Sequence, residues 1–118
     1  MQVKIISTKE LQKLIADKAS YVLIDVREKN ELVHGVIPTS KNVPLSDFGS
    51  VLNMSEKDFE KKYKFPKFKK SDKIIVYCRS GGRSGHASEI LHQAGYTATN
   101  YAGSILEWSK IDKNVKAY

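Results

Sequence analysis

A chain of 118 residues has room for one domain around a single core, and 41% apolar with 28% charged residues excludes disorder. The apolar runs are far too short for a membrane-spanning helix, residues 1–20 carry no secretory or transit pattern, and one cysteine excludes an internal disulfide. The net charge of +7 raises nucleic-acid binding, but eight lysines against three acidic residues between Lys57 and Lys73 hold five of those charges. No helix-turn-helix, zinc or aromatic single-strand motif accompanies them. The run reads as a solvated basic face that concentrates anions, and nucleic acid is not expected as a partner.

In chain order, residues 3–6 predict a short strand. Ser7 and Glu10 form a capping-box pattern for a helix reaching about Asp17, with Leu11, Leu14 and Ile15 inward. Residues 21–26 are continuously apolar up to Asp25, as in a strand covered on both faces. Arg27 and Glu28 follow at its C-terminal end, where open parallel sheets carry their functional groups. One or two helical turns over 30–34 stop at Gly35, and a third strand at 41–44 ends on Pro44. Residues 45–54 read as irregular loop. Ser55 caps a helix to about Tyr63 that carries Phe59 inward; Phe65 and Phe68 read as further core anchors. After a strand at 74–77, a helix runs from about Ser84 to Gln93 and ends at Gly95. Residues 97–101 form a last strand, and a short helix over 105–111 is anchored by Trp108. Strands alternating with helices predict an α/β fold: a parallel sheet covered by helices, one domain over residues 1–118. The predicted core is Ile5, Leu23, Ile24, Val26, Val43, Ile75, Val76, Ile90, Leu91 and Trp108.

The chemistry concentrates where that fourth strand meets its helix. From Cys78 through Arg79, Ser80, Gly81 and Gly82 to Arg83 the chain makes a short glycine-centred loop. Such a loop turns backbone N–H groups toward one point at a helix N-terminus, a cradle for anions. A thiol there loses its proton more readily, and the thiolate is the nucleophile. Arg79 and Arg83 add fixed charge and forked donors for an oxyanion. A lone cysteine after a strand is commonly a small buried hydrophobe, but that accounts for neither the paired glycines nor the arginines. Cysteine phosphatases place five residues between Cys and Arg; four residues separate Cys78 from Arg83.

The stretch from Cys78 to Ser84 closely resembles the active-site loop of the rhodanese family of sulfurtransferases. The resemblance extends over nearly the whole chain. Asp25-Val26-Arg27-Glu28 is similar to the family's Asp-x-Arg-x motif. Glu31 through Gly35 to Pro38, then Asn42-Val43-Pro44, follow its Glu-x-x-x-Gly-His-Ile-Pro and Asn-Ile-Pro patterns, with Val36 in place of His and Thr39-Ser40 in place of Gly-Ala. Gly95-Tyr96, Gly103 and Trp108 match its closing features, with Ser104 replacing a second glycine.

The resemblance implies a five-stranded parallel sheet flanked by helices on both faces, and sulfur transfer as the activity. Cys78 would take sulfane sulfur from thiosulfate or a persulfide and pass it to a thiol or cyanide. The amides from Arg79 to Ser84 would hold the persulfide, Arg79 and Arg83 the leaving sulfite, with Asp25 and Arg27 as structural support. No cofactor and no metal is implied: His34, His86 and His92 lack partners at ligand spacing. A monomer without membrane attachment is expected, in a reducing compartment, the cytoplasm by default or the mitochondrial matrix. Two other readings compete. One is a non-catalytic interaction or sulfur-sensing module; the other is a cysteine phosphatase or arsenate reductase of related fold.

Overall fold

The structure, a computed structural model, describes residues 3–118. Five strands, β1 (Lys4–Ile5), β2 (Val22–Asp25), β3 (Lys41–Asn42), β4 (Ile74–Tyr77) and β5 (Ala98–Asn100), pair in the order β1-β5-β4-β2-β3. Every neighbouring pair is parallel. The expected parallel α/β sheet is therefore present, with β4 at its centre. All four β4 residues are buried, as its unbroken run of β-branched and aromatic residues requires.

The pleat of β4 divides the core in two. Ile74, Val76 and Cys78 face one side, packed with Phe48, Val51, Phe59 and Leu91 from α2 (Phe48–Val51), α3 (Glu56–Tyr63) and α4 (Gly82–Gln93). Ile75 and Tyr77 face the other, with Leu11 of α1 (Thr8–Ala16) and Ile105 and Trp108 of α5 (Ser104–Trp108). Helices thus cover both faces. Because side chains alternate along the strand, the position just after β4 falls on the α4 side. That position is Cys78.

Local signals act as expected at the helix ends. Ser7 accepts from the Glu10 amide and Glu10 accepts from the Ser7 amide, a complete capping box. Ser55 caps α3 through the Asp58 amide. Gly95, at φ +93°, follows the C-cap of α4.

Four expectations need correction. Residues 45–54 are irregular only over 52–54: before that, a 3-10 turn over Leu45–Asp47 leads into α2, whose Phe48 and Val51 are both core residues. The glycine and polar residues of that stretch occupy its outer face and mask the apolar spacing. Helix α4 begins at Gly82 rather than Ser84, so the loop and the first turn of the helix overlap. Helix α5 covers Ser104–Trp108, earlier than the predicted 105–111. Ile5 is 66% exposed, because β1 is a two-residue edge strand beyond the cover of the helices, and Ile90 is only partly buried.

Candidate active site

Site geometry starts from Cys78, the first residue after β4 and 1% exposed. Its backbone is tied down first: the Cys78 amide donates to Ser104 Oγ at 3.1 Å, and its carbonyl accepts the Ile105 amide. Ser104 stands at φ +52°, a left-handed conformation that costs a non-glycine residue about 1 kcal/mol. That explains why a glycine was expected there. The serine hydroxyl offsets the strain by accepting from Cys78 and donating to the Tyr101 carbonyl at 2.8 Å, both within the buried core.

The loop then closes on the sulfur. The Gly81 amide donates to Cys78 Sγ at 3.0 Å, and Ser84 Oγ lies 3.4 Å from it. Gly81 adopts φ +99°, and a Cβ there would come within 2.4 Å of the Ala102 carbonyl oxygen, so only glycine fits. Gly82 has open space around its Cα. The Gly81 carbonyl is held from behind by the Asn100 side-chain amide at 3.3 Å and the Gly85 amide at 3.0 Å. This fixes the peptide plane that also carries the Gly82 N–H. Asn100 sits at the end of β5, so the sheet itself positions the loop.

Burial pushes the Cys78 thiol up, but the Ser84 hydroxyl and the amides of Ser84, Gly81 and Ser80 outweigh it and leave the thiol below its ordinary value. Ser84 Oγ also lies 3.2 Å from the Gly81 carbonyl. With one proton, the hydroxyl donates either to that carbonyl or to the sulfur. A thiolate draws it to sulfur while Asn100 and Gly85 keep the carbonyl satisfied. The sulfur therefore points into the amide cradle, although its Cβ side packs with the core.

Support comes from below. Arg27 is fully buried and forks onto Asp25, Nη2 to Oδ2 at 2.7 Å and Nε to Oδ1 at 3.0 Å. It also donates to the carbonyls of Gly35 and Glu31. Desolvation opposes the Arg27 charge, but the bonds to Asp25 and Tyr118 overcome it and raise the guanidinium above its usual value. Asp25 and Arg27 brace the loop over 27–35, and the hydrogen bonds to the sulfur come from Gly81 and Ser84 instead.

Above, the two arginines are already engaged. Arg83 places Nη1 2.5 Å from Glu31 Oε1 and Nη2 2.9 Å from Oε2, and Arg79 Nε donates to the main-chain oxygen of Tyr118. The Arg83 bridge holds Glu31 well down in the acid range, to about 2. Ser80 and Gly82 line the exposed rim, Ser84 its buried floor. Of the three histidines, His86 is exposed and His34 stacks on Tyr118 with ring centroids 4.0 Å apart. Among the described residues no three His, Cys, Asp or Glu side chains gather to hold a metal. Sequence reasoning missed Tyr118 and Asn100, which carry no motif, and gave Glu31 no role beyond its place in a pattern.

A parallel α/β sheet that delivers one cysteine into an amide cradle at a helix N-terminus defines a thiolate-loop protein. The profile of the rhodanese-like domain matches residues 7–111, and the chain belongs to that family. A human thiosulfate:glutathione sulfurtransferase is 36% identical over 105 residues, 87% of this chain and 90% of that protein. A mitochondrial protein of Schizosaccharomyces pombe is 48% identical over 91 residues, and the matched region spans 64% of its length. Among solved structures, the human single-domain sulfurtransferase TSTD1 superposes with a TM-score of 0.87 at 34% identity, covering 94% of this chain and 99% of that one.

Proposed function

We propose that this chain is a sulfurtransferase that carries sulfane sulfur on Cys78 from an anionic donor such as thiosulfate to a thiol or cyanide. The observation that carries the reading is the 3.0 Å bond from the Gly81 amide to a Cys78 sulfur whose thiolate the loop favours. The relatives' named activities support the donor and the class of acceptor.

In the first half-reaction the Cys78 thiolate attacks the outer sulfur of thiosulfate. The new Cys–S bond forms as the bond to the sulfonate sulfur breaks, and the electron pair leaves on sulfite. Cys78 is then a persulfide whose terminal sulfur carries the negative charge. That charge lies over the N-terminus of the 12-residue helix α4, where aligned amides stabilise it. In the second half-reaction an acceptor thiolate takes the terminal sulfur and the Cys78 thiolate returns as leaving group. Arg79 and Arg83 supply positive charge at the rim against which the donor docks and sulfite departs. The reaction needs a reducing compartment for the free thiol, the cytosol or the mitochondrial matrix.

Intact-mass measurement after thiosulfate exposure tests this. The chain is expected to gain one sulfur atom, and Cys78→Ser to gain none. A parent chain that stays unmodified by excess thiosulfate would instead favour the binding-module reading.

A further inference from the structure

Tyr118 meets Glu31 and Arg79 at the rim and Arg27 beneath it, yet no motif marks it. Its hydroxyl donates to Glu31 Oε2 at 2.7 Å and accepts from Arg27 Nη1 at 3.1 Å. Its main-chain oxygen accepts from Arg79 Nε, and its ring centroid lies 5.3 Å from the Arg79 guanidinium carbon. The same ring stacks on His34. The segment leading to it is docked: Val115 is buried, the Lys116 amide donates to the His34 carbonyl at 2.8 Å, and Gly35 leaves the space that the Asn114 carbonyl fills.

These contacts form one chain of charge. Asp25 fixes Arg27, Arg27 fixes the Tyr118 hydroxyl, the hydroxyl fixes one oxygen of Glu31, and both oxygens of Glu31 hold Arg83. An end-on fork of this kind occupies one N–H on each terminal nitrogen of Arg83. The Nε–H and the outward N–H groups stay available to an anion. Arg83 is partly exposed on a long flexible stem, and unsupported it would sample many rotamers. Glu31 remains ionised through the physiological range, so the hold is permanent.

We propose that Tyr118 is a positioning residue for the anionic sulfur donor: through Glu31 it fixes the Arg83 guanidinium at the rim, and it holds Arg79 directly. This rests on the sulfurtransferase reading of the same site. Tyr118 orders the two cations that meet the donor and takes no part at the sulfur. Its loss therefore weakens donor capture and leaves the thiolate unchanged.

The test is Tyr118→Phe, which keeps the ring stack and the backbone contact and removes only the hydroxyl. Thiosulfate loading of Cys78 is followed by intact mass across donor concentrations, beside the pH dependence of Cys78 alkylation. The half-saturating thiosulfate concentration should rise about three- to tenfold, as loss of one charge-assisted bond in the chain implies. The maximal loading rate and the alkylation midpoint should stay where they were. Glu31→Gln should raise the same constant, and the double variant should exceed neither single variant by much, because both act through Arg83. An unchanged or lowered half-saturating concentration in Tyr118→Phe overturns the proposal; so does full additivity with Glu31→Gln. If the parent chain itself takes up no sulfur, it is the sulfurtransferase reading that fails.

Discussion

Gly81 donates its amide to the Cys78 sulfur at 3.0 Å, while the backbone of Ala102 fills the space that a side chain on Gly81 would need. The hydrogen bond and the close approach require the same residue type. Gly81→Ala should cost more than about 2 kcal/mol, from left-handed strain and from a clash with a backbone that cannot step aside. Gly82→Ala, in open space at the first position of α4, should be neutral or stabilising by up to about 1 kcal/mol. Urea denaturation of the two variants separates them. Equal stability would mean the Gly81 backbone is freer than its geometry indicates.

Against the burial that opposes it, the Ser84 hydroxyl joins the loop amides in favouring the Cys78 thiolate. The Cys78 thiol sits below its ordinary value, so its thiolate persists to a lower pH than that of a free cysteine and is lost as the pH falls through the lowered midpoint. Ser84→Ala removes the hydroxyl donor and should raise the midpoint by about one unit, the effect of one hydrogen bond to a charged group. The pH dependence of alkylation, or of thiolate ultraviolet absorbance, reports it. A midpoint that does not move would assign the depression to the loop amides alone.

Asp25→Ala strands a fully buried guanidinium. Removing one partner of a buried pair costs about 3–5 kcal/mol, more than most single changes, and should appear as a large fall in the urea midpoint. Adding Arg27→Met should recover part of that loss, since no charge is then left unpaired. The Gly35 and Glu31 carbonyls would still lack their donor, so recovery should be incomplete.

Ser104 combines strain with a useful hydroxyl. Ser104→Ala keeps the left-handed strain, leaves the Cys78 amide unpaired and takes from the Tyr101 carbonyl one of its two donors, for a cost of about 1–3 kcal/mol. Ser104→Gly loses the same bonds but relieves the backbone, and should fall about 1 kcal/mol less. Thermal unfolding of the pair checks the order, and a reversed order would contradict the strain at this residue.

The central features were legible because each has a short-range signal. Apolar continuity marked Ile74 to Tyr77 as a strand covered on both faces, the glycine pair marked the loop, and Ser7 with Glu10 marked a helix start. Asp25 and Arg27 lie two residues apart and pair locally. What escaped is what folding alone brings together. Glu31 meets Arg83 across 52 residues, Tyr118 reaches Glu31 across 87, and Asn100 reaches Gly81 from another strand. No periodicity encodes such meetings. The 45–54 segment was misread for a different reason: Phe48 and Val51 are one helical turn apart, too short a repeat to stand out among polar neighbours.

The 1% exposure of Cys78 bears on its survival as well as its work. Susceptibility to peroxide tracks both ionisation and access, so a sulfur whose thiolate the loop favours but whose surface is covered is shielded from the attrition a surface thiolate would suffer.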